Sequence, residues 1–96
     1  MRKFSYTINS ENGIHARPAG ILVKTVSQFK SDVKFLKGEK EANAKSLFSI
    51  MGLGIKNGEK LNIEVCGDDE DILSEKLEEM LQHDFNADKV METSEA

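Results

Sequence analysis

The chain has 96 residues, 39% of them hydrophobic, which suits one compact domain with a modest core. Its net charge is −4 but unevenly placed: residues 1–63 carry 11 basic and 5 acidic side chains, whereas residues 64–96 carry 2 and 12. The acidic excess argues against general nucleic-acid binding, and one cysteine with two histidines excludes an internal disulfide and a Cys/His metal cluster. No apolar run approaches the roughly 20 residues of a membrane span, and the opening MRKFSYTINS lacks the apolar stretch of a signal peptide. A cytoplasmic protein with no membrane insertion and no metal of its own is the expectation.

In chain order, KFSYTI alternates and puts Phe4, Tyr6 and Ile8 on one side, the pattern of a half-buried strand, and SENG breaks it. From Ala16 the period changes. Ala16, Ala19, Leu22, Val23, Val26 and Phe29 recur at steps of three or four, which predicts an amphipathic helix. Its opposite stripe carries Arg17, Lys24 and Gln28 together with Ile21, an apolar residue on the wet face. DVKFLK alternates again, with Val33 and Phe35 inward; KGEK is a turn and EANA a weak edge strand. Ser46 is suited to cap a short helix that Gly52 or Gly54 ends. Asn57-Gly58 marks a turn, and KLNIEV points Leu61, Ile63 and Val65 inward. Asp68 or Asp69 is placed to cap a last helix whose buried stripe is Leu73, Leu77, Met80 and Leu81. ADKVMETSEA has little periodicity and predicts a mobile polar tail over 86–96, after a domain spanning 1–85.

This order, β-α-β-β-α-β-α, implies an α+β two-layer sandwich: a four-stranded antiparallel sheet with three helices on one face. The other sheet face carries Ser5, Thr7, Lys34, Asn62 and Glu64 and is free to meet water.

The chemistry concentrates in NGIHARPAG, which holds the only proline and one of two histidines. With the helix starting at Ala16, His15 is the N-cap and Pro18 falls in the first turn, where the missing N–H costs nothing. Free first-turn amides and the positive end of the helix dipole form an anion site. The dipole also disfavours imidazolium and keeps His15 nucleophilic near neutral pH. Arg17 adds a fixed charge whose fork suits phosphate oxygens. A reversible phosphoryl acceptor needs these parts, and histidine is a known covalent nucleophile. His83, between Gln82 and Asp84 late in the last helix, has no such cradle and reads as structural.

The second informative stretch is AKSLFSIMGLGIKNG. A two-turn helix cannot bury Leu47, Phe48, Ile50, Met51 and Leu53 against one sheet. Ile50 and Leu53 share the core face, which leaves Leu47, Phe48 and Met51 as a candidate docking patch beside the charged site, with Ile21 and Lys24. A phosphate on Ser46 would sit at a helix N-terminus and place negative charge beside that patch.

GIHARPA and KS…MGLGI.NG, at this spacing, resemble the active-site motif and the regulatory-serine segment of the HPr family of bacterial phosphocarriers, over residues 1 to about 85. The resemblance implies an open-faced β-sandwich in which His15 accepts a phosphoryl group on Nδ1 from Enzyme I and passes it to Enzyme IIA domains. Arg17 would neutralise the phosphate, and Ala16 and Arg17 would lend backbone amides. The chain would act as a monomeric stoichiometric carrier rather than an enzyme. It would need no cofactor beyond the phosphoryl group supplied ultimately by phosphoenolpyruvate. It also implies phosphorylation of Ser46 by an HPr kinase/phosphorylase and binding to a catabolite-control transcription regulator, with no direct contact to nucleic acid. The chain departs from many relatives at Phe48-Ser49-Ile50-Met51, where Met-Gly-Val-Met is frequent, and at Gly52, where serine is common. The competing expectation is a regulatory binding protein of carbon catabolite repression acting mainly through phospho-Ser46.

Overall fold

The computed structural model describes residues 1–9, 16–84 and 88–89, with backbone alone at 16–18, 84 and 88–89. The elements are β1 (Arg2–Thr7), α1 (Ala16–Val26), β2 (Asp32–Lys37), β3 (Lys40–Asn43), α2 (Leu47–Gly52), β4 (Lys60–Cys66), α3 (Glu70–Asp84) and β5 (Asp88–Lys89). The strands form one antiparallel sheet in the order β3-β2-β4-β1-β5. The architecture is the expected α+β sandwich of four main strands and three helices, with one short strand added.

Alternation makes the sheet. Tyr6 lies opposite Leu61 and Phe4 opposite Ile63 across β1 and β4; Ile63 also lies opposite Phe35 of β2. All five are buried, so Ile63 sits between two aromatic rings at the centre of the core. Phe4 and Tyr6 meet edge to face, with ring centres 6.0 Å apart at 88°. The helices add Ala19, Leu22 and Val26 from α1, Ile50 from α2, and Leu73, Leu77, Met80 and Leu81 from α3 to the same cluster. The β2–β3 hairpin closes over two residues, Gly38-Glu39, between the paired Lys37 and Lys40. The positive φ of Gly38 (60°) is what so tight a hairpin turn demands.

Three details depart from the sequence expectation. The Asp69 carbonyl accepts the first bond of α3, from Leu73 N at 3.0 Å. Its carboxylate turns away from α3, taking bonds from the backbone N–H of Lys30 and Ser31 (both 2.9 Å) and from the Ser31 hydroxyl. The loop ahead of β2 therefore wins this carboxylate, because it offers three donors at once. Glu70 compensates at the helix start by accepting from Gly67 N at 3.1 Å. Second, Ser5 on the nominally wet sheet face is buried and donates to Asn62 Oδ1 at 2.5 Å. Third, within the segment read as an irregular tail, Asp88 and Lys89 pair with Thr7 and Tyr6. Two residues carry no readable period, and the exposed edge of β1 supplies the partner.

Candidate phosphoryl-acceptor site and docking face

Helix α1 begins at Ala16, directly after position 15, and runs for 11 residues with no acidic side chain in its first turn. The N–H groups of Ala16 and Arg17 precede any possible i→i−4 carbonyl of the helix, and Pro18 has no N–H, so two free amides remain at the helix start. No carboxylate of that turn competes with an anion for them. His15 itself lies outside the described residues, as do the side chains of Ala16, Arg17 and Pro18. Further along α1, Leu22 is buried while Ile21 (52% exposed) and Lys24 face solvent. Lys24 is in the last turn, where a cation suits the dipole.

Helix α2 packs against α1. Ser46 is its N-cap, with extended backbone (φ −120°, ψ 114°), and its hydroxyl accepts from Ser49 N at 3.3 Å. The hydrogen bond is long and the serine only half-buried, so the hydroxyl is reachable. Ile50 and Leu53 reach the core as expected, while Phe48 is 91% exposed, Leu47 38% and Met51 39%. A short helix has one inward face; a sequence that puts four large apolar residues on six positions must leave some in water.

Two lysines that the sequence did not single out hold α2 in place. Lys37 donates to the carbonyls of Leu53 (3.3 Å) and Gly54 (3.0 Å) and pairs with Glu59 at 3.0 Å. Its cation thus meets the negative end of α2. The Glu59 carboxyl is held below its ordinary range, first by the N–H of Lys56 and then by Lys37. Lys45, just before the Ser46 cap, donates to the Phe29 carbonyl at 3.3 Å and so links the entry of α2 to the exit of α1. Neither lysine has a local sequence signal, because the carbonyls they reach are 16 and 17 residues away.

The other described groups with displaced titration are tied to the fastening of α3. Burial raises the Tyr6 hydroxyl to about 12, aided by its bond to Glu78 at 2.7 Å and opposed by the bond it accepts from Gln82. Asp69 is held low, mainly by the Ser31 hydroxyl and the Lys30 amide, and Glu70 by the Gly67 amide and the N-terminal amine. These are fastenings of α3 rather than a reactive centre. His83 is exposed in the last turn of α3, and Cys66 is exposed at the end of β4. A concavity of about 470 Å³ lies between strands and is lined by residues including Lys3, Ser5, Leu36, Asn62 and Glu64; its described lining includes none of the proposed docking residues. Among the described residues no group of three His, Cys, Asp or Glu is placed to hold a metal ion, and no helix is long and apolar enough to cross a membrane.

A family model described as "PTS HPr component phosphorylation site" matches residues 2–83. The phosphocarrier protein HPr of Mycoplasma capricolum is 41% identical over 71 residues, covering 74% of this chain and 80% of that protein. Among solved structures, HPr-C-His from Thermoanaerobacter tengcongensis superposes with a TM-score of 0.83 at 35% identity, over 90% of this chain and 97% of its own. The histidine-containing phosphocarrier protein of Mycoplasma does so with 0.82 at 34%, over 84% and 92%.

Proposed function

The chain belongs to the HPr family of phosphocarriers of the phosphotransferase system, and from that premise we propose that it relays phosphoryl groups through His15, from Enzyme I to Enzyme IIA domains. The observation that carries the reading is the start of α1 at Ala16, directly after position 15, because the first N–H groups of a helix have no carbonyl partner within it. In the proposed step, Nδ1 of His15 attacks the phosphorus of phosphorylated Enzyme I. The new N–P bond forms as the donor's phosphoryl bond breaks, and the amides of Ala16 and Arg17, with the Arg17 guanidinium, stabilise the charge on the phosphoryl oxygens. Transfer to Enzyme IIA reverses the sequence. The carrier ends each cycle unchanged, needs no cofactor, and works as a cytoplasmic monomer docking through Ile21, Lys24, Leu47, Phe48 and Met51. With phosphoenolpyruvate, Mg²⁺ and Enzyme I, the protein is expected to gain an acid-labile, base-stable phosphate that a His15→Ala variant does not. Equal labelling of that variant would refute the assignment.

A second, regulatory reading is supported by the Ser46 cap standing beside the exposed Phe48. Phosphate on Ser46, added by an HPr kinase/phosphorylase, would complement the helix N-terminus and set a dianion next to the docking face. It would thereby slow acceptance at His15 and create a surface for a catabolite-control regulator. ATP and the kinase are expected to label Ser46, and label mapping to Ser49 instead, or no label at all, would remove this reading.

A further inference from the structure

Lys37 is the last residue of β2, and its backbone is paired with Lys40 across the hairpin, so its side chain leaves from a fixed base. An ammonium has three N–H donors, and three acceptors meet this one: the carbonyls of Leu53 (3.3 Å) and Gly54 (3.0 Å) and the Glu59 carboxylate (3.0 Å). The acceptors belong to two separate pieces of the molecule. Leu53 is the C-cap of α2, where the last carbonyls of a helix lack partners within it. A helix of six residues is not held by its own bonds, so what meets its ends decides how firmly it stands. Glu59 belongs to the turn ahead of β4 and also accepts from Lys56 N at 2.7 Å. That turn clasps the chain just after β1. Ile8 donates to the Glu59 carbonyl at 3.0 Å and accepts from Gly58 N at 2.6 Å. Ile8 is fully buried and stands seven residues before His15 in the sequence.

We propose that Lys37 is a positioning residue for phosphoryl transfer, fastening the docking helix α2 to the turn that holds the strand leading toward the acceptor segment. The assignment rests on the phosphocarrier reading, and Lys37 acts through α2 rather than on the phosphoryl group. The contacts run without a break from the Leu53 and Gly54 carbonyls through the ammonium to the Glu59 carboxylate, and from the Glu59 backbone to Ile8. Both charged side chains are half-buried, so salt screens this pair less than a pair in open water. Removing the cation releases α2 and the turn together. Removing the carboxylate releases the turn alone, since Lys37 keeps its two carbonyls. Ile50 and Leu53 stay in the core in either case, so α2 loosens at its C-terminal end, beside the exposed Met51, and does not detach. The expected consequence is a weaker encounter with an unchanged chemical step.

Amide hydrogen exchange and transfer kinetics test this in the full chain. Lys37→Met is expected to exchange the Leu53, Gly54, Ile8 and Gly58 amides at least about threefold faster, with the Ala44 and Leu73 amides unchanged. Glu59→Gln is expected to accelerate Ile8 and Gly58 only. In transfer from Enzyme I, Lys37→Met is expected to raise the KM for the carrier at least about threefold at unchanged kcat, and Lys37→Arg, which keeps the cation, to restore it. Parent exchange rates at all four amides in Lys37→Met overturn the proposal, and acceleration confined to Leu53 and Gly54 overturns the link to the turn. A variant with faster exchange but parent KM, or with a loss in kcat alone, overturns the positioning role. A parent chain that Enzyme I does not label removes the phosphocarrier reading instead, and exchange still reads the fastening itself.

Discussion

Helix α3 runs for 15 residues and hides Leu73, Leu77, Met80 and Leu81, whereas α2 runs for six and leaves Leu47, Phe48 and Met51 in water. The fastenings differ as well. α3 is held by the Tyr6 hydroxyl through Glu78 and Gln82, by Arg2 on Asp71 at 2.8 Å, and by the Asp69 clamp on the loop before β2. α2 has one long cap bond, Lys37 across its end, Lys45 at its entry and its inward Ile50. The difference separates two tasks. α3 closes the core, and its apolar residues are spent on stability. α2 is a small platform whose apolar surplus stays exposed, as the proposed docking role requires.

Truncating one apolar side chain on each helix is the sharpest way to break this contrast. Leu77→Ala on α3 empties fully buried volume and is expected to lower stability by about 2–5 kcal/mol in denaturant unfolding. A loss below about 1 kcal/mol would place α3 outside the core. Asp69→Asn comes next. The carboxyl titrates lower in the folded chain than unfolded, so its contribution is present above the ordinary carboxylate range and disappears as pH falls through the depressed value. The variant is expected to melt lower than the parent at neutral pH and to converge on it in acid, below about pH 4. Parallel melting curves across that range would mean the clamp carries no charge-dependent stability.

Tyr6→Phe removes a donor from Glu78 and an acceptor from Gln82 and is expected to cost about 1 kcal/mol. Its pH signature lies at the other end. The hydroxyl is raised to about 12 in the fold, so its share of stability is complete below the unfolded value near 10 and is lost as pH rises toward 12. The parent should therefore destabilise over that interval and the phenylalanine variant should not lose this component. The smallest expected effect on stability belongs to Phe48→Ala on α2, within about 0.5 kcal/mol, because the ring is already in water. The same variant should slow phosphoryl transfer from Enzyme I at limiting concentration. A stable variant with unchanged transfer would show that the α2 platform has no part in that encounter.

What the sequence made legible follows the range of each interaction. Strand alternation in KFSYTI, DVKFLK and KLNIEV and the stripe of α1 are local patterns, and all four elements stand where the patterns put them. The split of Ile50 and Leu53 from Leu47, Phe48 and Met51 was equally readable, because a six-residue helix has only one inward face. The proposed acceptor segment rests on residue types alone, a histidine before a helix start, then arginine and proline, and the structure describes of it only the helix start at Ala16. What escaped is non-local. Asp69 looked like a cap because its neighbours in sequence are helical, yet its donors come from Lys30 and Ser31. Lys37 carries no mark of its bond to the end of α2. The Gly67–Ser31 contact is also invisible locally. A Cβ on Gly67 would stand 2.6 Å from the Ser31 Cα, so only glycine lets these two turns meet.

The sheet order has a temporal consequence. Of the described strands β1 comes first in the chain, yet its partners are β4 and β5, both from the second half of the 96 residues. On the ribosome, β1 has no strand to pair with until Cys66 has been added, whereas β2 and β3 can form their hairpin long before. The strand leading into the histidine segment is therefore seated late. A chain truncated before β4 would carry the His15 motif in full and still leave β1 without its main partner, so the seating of the proposed acceptor segment depends on residues far along the chain.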